Sequence, residues 1–441
     1  MSLLHPLLVQ LIALALPFSV CVIRHTLCSV LITCTRKGSL SRYFGFATLI
    51  FLSVVQDTCA VLLSLYRPLR AVLGAECFLQ TLQAFNLVIL LELDAADLER
   101  EGLFHPHARL SKIIWSGMYL LHNYRGVRTK WQVKNTPDFP PYVKHAMWLS
   151  PNQFCMRQSI IAAWQLFSLA LAVRFVQSIV PESTTCGEAP PLTKEFIRAW
   201  RGFLPLLWIV ICRSIMDIAF RLNSIASIII GLSTPVDWPP LFNSTLDAWT
   251  LRRFWGLYWH QWLRWPFTAM ATFLVRKLLR ISKPGPVYRY IHVLCVFSLS
   301  GILHLINDVL QGVPWRESGA LLFFCSFTLG FMIEDGIQEL WHQITGKYAK
   351  TQSYRGDNEG RSKDTASTVT PLWKRLVGFL WVWVWMSIMT PVYMRPVFQA
   401  VCCHGAGSHG LRMIRYLNPG IGVVCLATGT LLIWRHIGIN I

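Results

Sequence analysis

Apolar stretches of roughly 20 residues, long enough to cross a bilayer as a helix, recur throughout this chain. They lie near 3–23, 43–66, 73–93, 158–180, 203–231, 266–281, 288–306, 319–338, 373–395 and 414–434. Once out of water, such a segment must satisfy its backbone internally, and a helix does so within itself. The chain therefore reads as all-α: a polytopic transmembrane helix bundle of about eight to ten spans, forming one integral-membrane domain over residues 1–441. Composition agrees, because only 14% of residues are charged, against about 25% in a soluble domain. The 266–281 stretch is the weakest span; it is short and ends in Arg276, Lys277 and Arg280. The first stretch lacks a basic leader and a small-residue cleavage motif, so it is expected to be a retained span.

Lys and Arg number 41 against 22 Asp and Glu. In a multi-pass chain this excess marks cytosolic loops and attraction to anionic headgroups, so no nucleic-acid partner is expected. It also suits an acidic cosubstrate from the cytosol. Residues 94–157 carry Arg100, Arg109, Lys112, Arg125, Arg128, Lys130, Lys134, Lys144 and Arg157 against few acids. That segment is expected on the cytosolic side, partly on the membrane surface through Trp115, Tyr119, Tyr124, Trp131 and Trp148. Residues 181–200 read as a proline-rich loop, and 346–371 as a polar, flexible one. The 13 cysteines include no C-x-x-C pair, so neither a disulfide framework nor a metal site is expected. Cys402 and Cys403 adjoin a membrane end and are candidates for acylation.

Two segments carry ionisable groups where these are costly. Residues 288–308 read YRYIHVLCVFSLSGILHLIND. On a helix Ser300, His304, Asn307 and Asp308 share one face, and Gly301 beside them admits a closely packed backbone. An imidazole in apolar surroundings stays neutral and can accept a proton, although it can equally be a core group bonded to a carbonyl. Residues 251–265 read LRRFWGLYWHQWLRW. Helical spacing puts Arg253, Gly256, His260 and Arg264 on one side and Trp255, Trp259 and Trp262 on another. That is an interfacial amphipathic helix, whose arginines can simply snorkel. His292 lies about 18 Å from His304 along a helix, and so is expected at a membrane edge.

Together the two blocks resemble the wax-synthase-like branch of the membrane-bound O-acyltransferases. The pattern there is Phe-Trp-x-x-x-Trp-His, followed by a span ending in Ser-Gly-x-x-His. Trp255, Trp259, His260 and Arg264 fall on the first block, and Ser300, Gly301 and His304 on the second. Within that branch the chain resembles fungal enzymes that move an acetyl group from acetyl-CoA to terpenoids or meroterpenoids. The resemblance implies His304 as general base, with His260 in the same site and Asp308 or Asn307 orienting the ring. It also implies acyl-CoA as cosubstrate with no permanently bound cofactor, a hydrophobic alcohol as acceptor, and residence in the endoplasmic reticulum membrane. Arg252, Arg253 and Arg264 suit the CoA phosphates, because a guanidinium fork matches phosphate oxygens, and Trp259 belongs to the same binding wall.

The nearest alternative is a long-chain wax ester synthase. A di-iron desaturase needs clustered histidines, and His105 and His107 supply only HPH. A membrane terpene cyclase would use Asp57, Asp217, Glu334 or Asp335 as proton donors, but leaves both histidine blocks without a task. A transporter would thread Asp57, Arg213, Asp217 and Arg221, yet the chain shows no repeated halves.

Overall fold

The computed structural model describes residues 4–63, 65–139, 150–179, 198–281, 285–353 and 370–403, and the regular structure within them is helical. Helices α1 (Leu4–Cys34), α2 (Leu40–Leu62) and α3 (Arg67–Ala84) form a first group with α4 (Ala95–Arg100) and α5 (Leu110–His122). Helices α6 (Pro151–Ile179) and α7 (Leu204–Ile229) pack together. The short turn α8 (Leu251–Arg253) and α9 (Arg264–Phe273) lead into α10 (Pro286–Gln311), α11 (Ala320–Ser353) and α12 (Leu372–Cys403).

Seven helices among the described residues are long and apolar enough to cross a membrane: α1, α2, α3, α6, α10, α11 and α12. Helix α7 is as long, but Arg213, Asp217 and Arg221 interrupt its apolar run. The 266–281 stretch does not span; it is α9 followed by a π turn at Leu274–Leu278. The expected loop at 346–371 begins as helix, since α11 runs to Ser353. Residues 181–197, most of the remaining 346–371 loop, the side chains of Cys402 and Cys403, and the 414–434 stretch lie outside the described residues.

Glycine lets α10 and α11 approach closely, as the sequence suggested. A Cβ at Gly301 would sit 3.0 Å from the Leu321 Cα. Arg67 at the start of α3 donates to the Gln311 carbonyl at the end of α10, so the two helices run antiparallel. The end of the bundle where α10 starts therefore also holds the α1–α2 turn and residues 94–104. Lys37 pairs with Asp97, and Lys130 with Glu101, at that end. Arg276, Lys277 and Arg280 are exposed there too, making it the basic end.

Charges inside the bundle are mostly tied. Asp217 pairs with Arg221 at 2.7 Å and accepts from Gln165. Glu334 accepts the backbone N–H of Leu251 and of Arg252 and the Trp381 indole, capping α8. Asp335 takes Arg252, Arg289 and Tyr290. The carboxylates a cyclase or transporter would need, Asp57 apart, are thus engaged in structural pairs. Cys21, His25 and Glu76 also converge, but the Glu76 carboxylate already faces both Arg24 at 3.2 Å and His25 at 2.9 Å.

Candidate active site

The segment expected to lie as an interfacial helix instead makes a re-entrant hairpin. It starts beside Glu334, about 20 Å along α11 from that helix's first residue. Phe254–Tyr258 are wound as a π turn, closed by the Trp259 N–H on the Phe254 carbonyl at 2.7 Å. Trp255 packs on Phe324 and Phe327, and Trp259 lies against Trp208, which meets Phe323. The chain has then reached the level of the first turn of α11. Trp259 is extended, the chain reverses, and α9 runs back until Thr272 meets His292 near the start of α10 at 3.1 Å. His260 therefore sits at the apex, with both arms opening toward the basic end. His292 is at that end, as its distance from His304 predicted.

His304 lies at the same level. Its ring stacks on Phe324, with centroids 4.5 Å apart and planes 13° from parallel. The Nδ1 atom is 3.0 Å from the Tyr393 hydroxyl, and Tyr393 also stands edge-on to the ring. Its Nε2 has no hydrogen-bond partner among the described residues, and the side chain is only half-buried, so that nitrogen is left for an incoming group. Aromatic contacts run from His260 through Phe242, Trp259, Trp208, Phe323 and Phe324 to His304.

His260 lies outside the spanning helices. Burial, then the proximity of His304 and Arg125, push its pKa down to about 3, so it is neutral at physiological pH. Its Nδ1 is sealed from solvent and makes no hydrogen bond to the protein. Arg125 itself is buried and donates to the carbonyls of Pro239 and Pro240, each at 2.7 Å. It thereby pins the strand that carries Phe242 against His260. Residues 110–135 form the other wall of the hairpin. His122 stacks on His25, Tyr124 meets Trp262, and Trp131 stacks on Trp265. Only part of this segment is at a surface; Trp115 is exposed, whereas Tyr124 and Arg125 are buried. Burial drops the His122 pKa to about 4, yet its ring keeps an accessible face, so it faces an internal space.

Several anticipated roles meet different geometry. Asp308 does not hold the His304 ring; its Oδ2 accepts from the Ser318 hydroxyl at 2.6 Å. Asn307 makes no side-chain hydrogen bond, and its Oδ1 is buried. The i+4 position puts Asp308 on the right helix face, but the loop after α10 folds back and takes its carboxylate first. Arg252 pairs with Asp335 and Arg253 with Asp247. Arg264 donates to the carbonyls of Lys134 and Gly256 and to Gln261, so it ties the hairpin to its neighbour. These three guanidinium groups are already satisfied within the protein, and Trp259 is buried in the aromatic stack. Tyr393 was missed in the sequence, where it reads as one more aromatic residue of an apolar span, 89 positions from His304.

A bundle of apolar helices enclosing two neutral-capable imidazoles in an aromatic wall is that of an integral-membrane acyl-transfer enzyme. Comparison with known proteins agrees. Residues 238–326 match the model of the membrane bound O-acyl transferase family. The acetyltransferase atnC of Arthrinium sp is 34% identical over 392 residues, covering 85% of this chain and 86% of its own length. The acetyltransferase spyB of Aspergillus fumigatus is 33% identical over 87% of this chain, which spans 64% of that relative's length. The acetyltransferase TRI7 of Fusarium sporotrichioides is 33% identical over 71% of this chain and 70% of its own. No solved structure matches the chain. The chain belongs to the membrane bound O-acyl transferase family.

Proposed function

We propose that this enzyme moves an acetyl group from acetyl-CoA to a hydroxyl of a hydrophobic secondary metabolite, of the terpenoid or meroterpenoid kind. His304 is the general base in this reading. The observation that carries it is an imidazole in an apolar helix with Nδ1 hydrogen-bonded and Nε2 open, level with His260 at the hairpin apex. The names of the relatives support the acetyl group.

In the transfer, the hydroxyl proton passes to His304 Nε2 while the alcohol oxygen bonds the acetyl carbon. The tetrahedral oxyanion collapses, the C–S bond breaks, and the Nε2 proton goes to the departing thiolate as CoA leaves. The aromatic wall keeps out the water that would hydrolyse the thioester. The neutral His260 beside it can donate one N–H to the acyl oxygen. The positive-inside rule places the basic end in the cytosol, so CoA enters between the arms of the hairpin. The acceptor, being apolar, enters through the helices from the lipid. The membrane is that of the endoplasmic reticulum.

The test is expression in a host that lacks the activity. Microsomes given acetyl-CoA and a panel of hydroxylated terpenoids should yield a product heavier by one acetyl group, with free CoA released only when acceptor is present. Absence of transfer across hydroxylated acceptors, with the protein inserted, would reject the reading.

A further inference from the structure

Building on that reading, we infer that Tyr393 is the positioning residue of His304, and that Asp308, Ser318 and Gly319 form the latch that keeps it in place. For Nε2 to act as base, Nδ1 must carry the hydrogen, and that hydrogen needs an acceptor. A charged orienting group would have to be buried without water around it, which is costly in an apolar bundle. A phenol avoids this cost. The Tyr393 hydroxyl is the sole hydrogen-bond partner of the His304 ring among the described residues. Its own ring is fixed by Phe323, stacked at 5.4 Å and 27°.

The latch explains why Asp308 sits one turn beyond His304 without touching it. Asp308 takes the Ser318 hydroxyl at 2.6 Å, and the same Ser318 oxygen caps α11 by accepting from the Ala320 N–H. The next residue, Gly319, is pressed on α12: a Cβ there would lie 2.0 Å from the Val392 carbonyl oxygen and 3.2 Å from the Tyr393 Cα. Only glycine permits that approach. The helix that carries His304 thus sets the loop, and the loop sets the position of α12 at Tyr393. The sequence block around His304 contains half of this device; the rest is supplied from residues 318–319 and 393.

Tyr393→Phe removes the hydroxyl and keeps the ring. It is expected to lower kcat roughly 10–100-fold, a coupling of about 1.4–2.8 kcal/mol, with the KM for acetyl-CoA and for acceptor and the amount of inserted protein unchanged. In the double variant His304→Ala/Tyr393→Phe, turnover should be no lower than in His304→Ala alone, because the hydroxyl acts only through the ring. Normal turnover by Tyr393→Phe would overturn this inference and leave the general-base reading standing. An equal loss in the His304→Ala background would also overturn it. Normal turnover by His304→Ala would instead overturn the base reading itself. If Tyr393→Phe does not accumulate, Ser318→Ala serves in its place: a fall in kcat alone, absent in the His304→Ala background, supports the latch, and a fall in both backgrounds or in neither rejects it.

Discussion

The indole of Trp259 lies flat on that of Trp208, with centroids 5.1 Å apart and planes 10° from parallel. This stack joins the hairpin apex to α7, and Trp208 carries it on to Phe323 of α11. Trp259 is therefore a packing residue that fixes the depth of its neighbour His260. Replacing it with Ala should destabilise the protein by about 3–5 kcal/mol, as for other buried large aromatics, while Phe should retain most of the stability. Thermal melts of the detergent-extracted variants measure this. Normal melting with a raised KM for acetyl-CoA would point instead to contact with the donor.

His304→Ala should leave the protein inserted and folded and cut transfer by about 10²–10⁴-fold, the usual value of a positioned base. His260→Ala should fall between that and the parent enzyme, or match it. Asp308→Asn should do less, since an amide oxygen still accepts from Ser318. Product formed per amount of inserted protein, with one acceptor and acetyl-CoA throughout, ranks the three. A ranking in which Asp308→Asn is the worst would place the charge of Asp308 in the chemistry.

Arg264 ties three acceptors around the hairpin, so Arg264→Ala should cost about 1–3 kcal/mol by leaving them unmet. Arg252 pairs with Asp335 while partly exposed, and its loss should cost no more than about 1 kcal/mol. The KM for acetyl-CoA should stay within a factor of a few in both variants. A selective rise in that KM, with unchanged melting, would show that these pairs open to admit the phosphates.

His260 and His122 are both held neutral, with pKa values pushed down to about 3 and about 4. In the unfolded chain the same groups take protons near the ordinary histidine value of about 6.5. Below that pH the unfolded state binds more protons than the folded one, so stability falls as pH falls. Melting temperature should be level above about pH 7 and decline from about 6.5 toward 4. His122→Gln should flatten part of the decline. A melting curve that rises on acidification would contradict the neutral assignment.

The spans were legible because hydropathy is additive along a helix and needs no knowledge of neighbours. His304 was legible for the opposite reason, as an ionisable group where none is cheap. The hairpin was not. A helical wheel drawn through 251–265 assumes 3.6 residues per turn, whereas the chain there is a π turn followed by extended backbone. The faces assigned to Arg253, His260 and Arg264 dissolve with that assumption. The arginines misled because positive charge in a loop predicts location well and partners poorly. Only the fold reveals that Asp335, Asp247 and two carbonyls stand beside them. Asp308 was correctly placed on the His304 face, but which side chain reached it first depended on a loop that no periodicity describes.

The π turn at Phe254–Tyr258 makes the apex sensitive to counting. A five-residue hydrogen-bonded turn holds one residue more than the α-helical turn it replaces. Deleting any one residue there would let the segment relax to ordinary α-helix and swing everything beyond it by about 100° around the axis. The His260 ring would then leave the aromatic wall although its own codon and all its neighbours were intact. Side chains in this block can be exchanged one at a time, but its length cannot. A single-codon deletion scan across 250–262 should show a sharply bounded window of lost transfer, with deletions in the exposed loop before Thr245 tolerated far better.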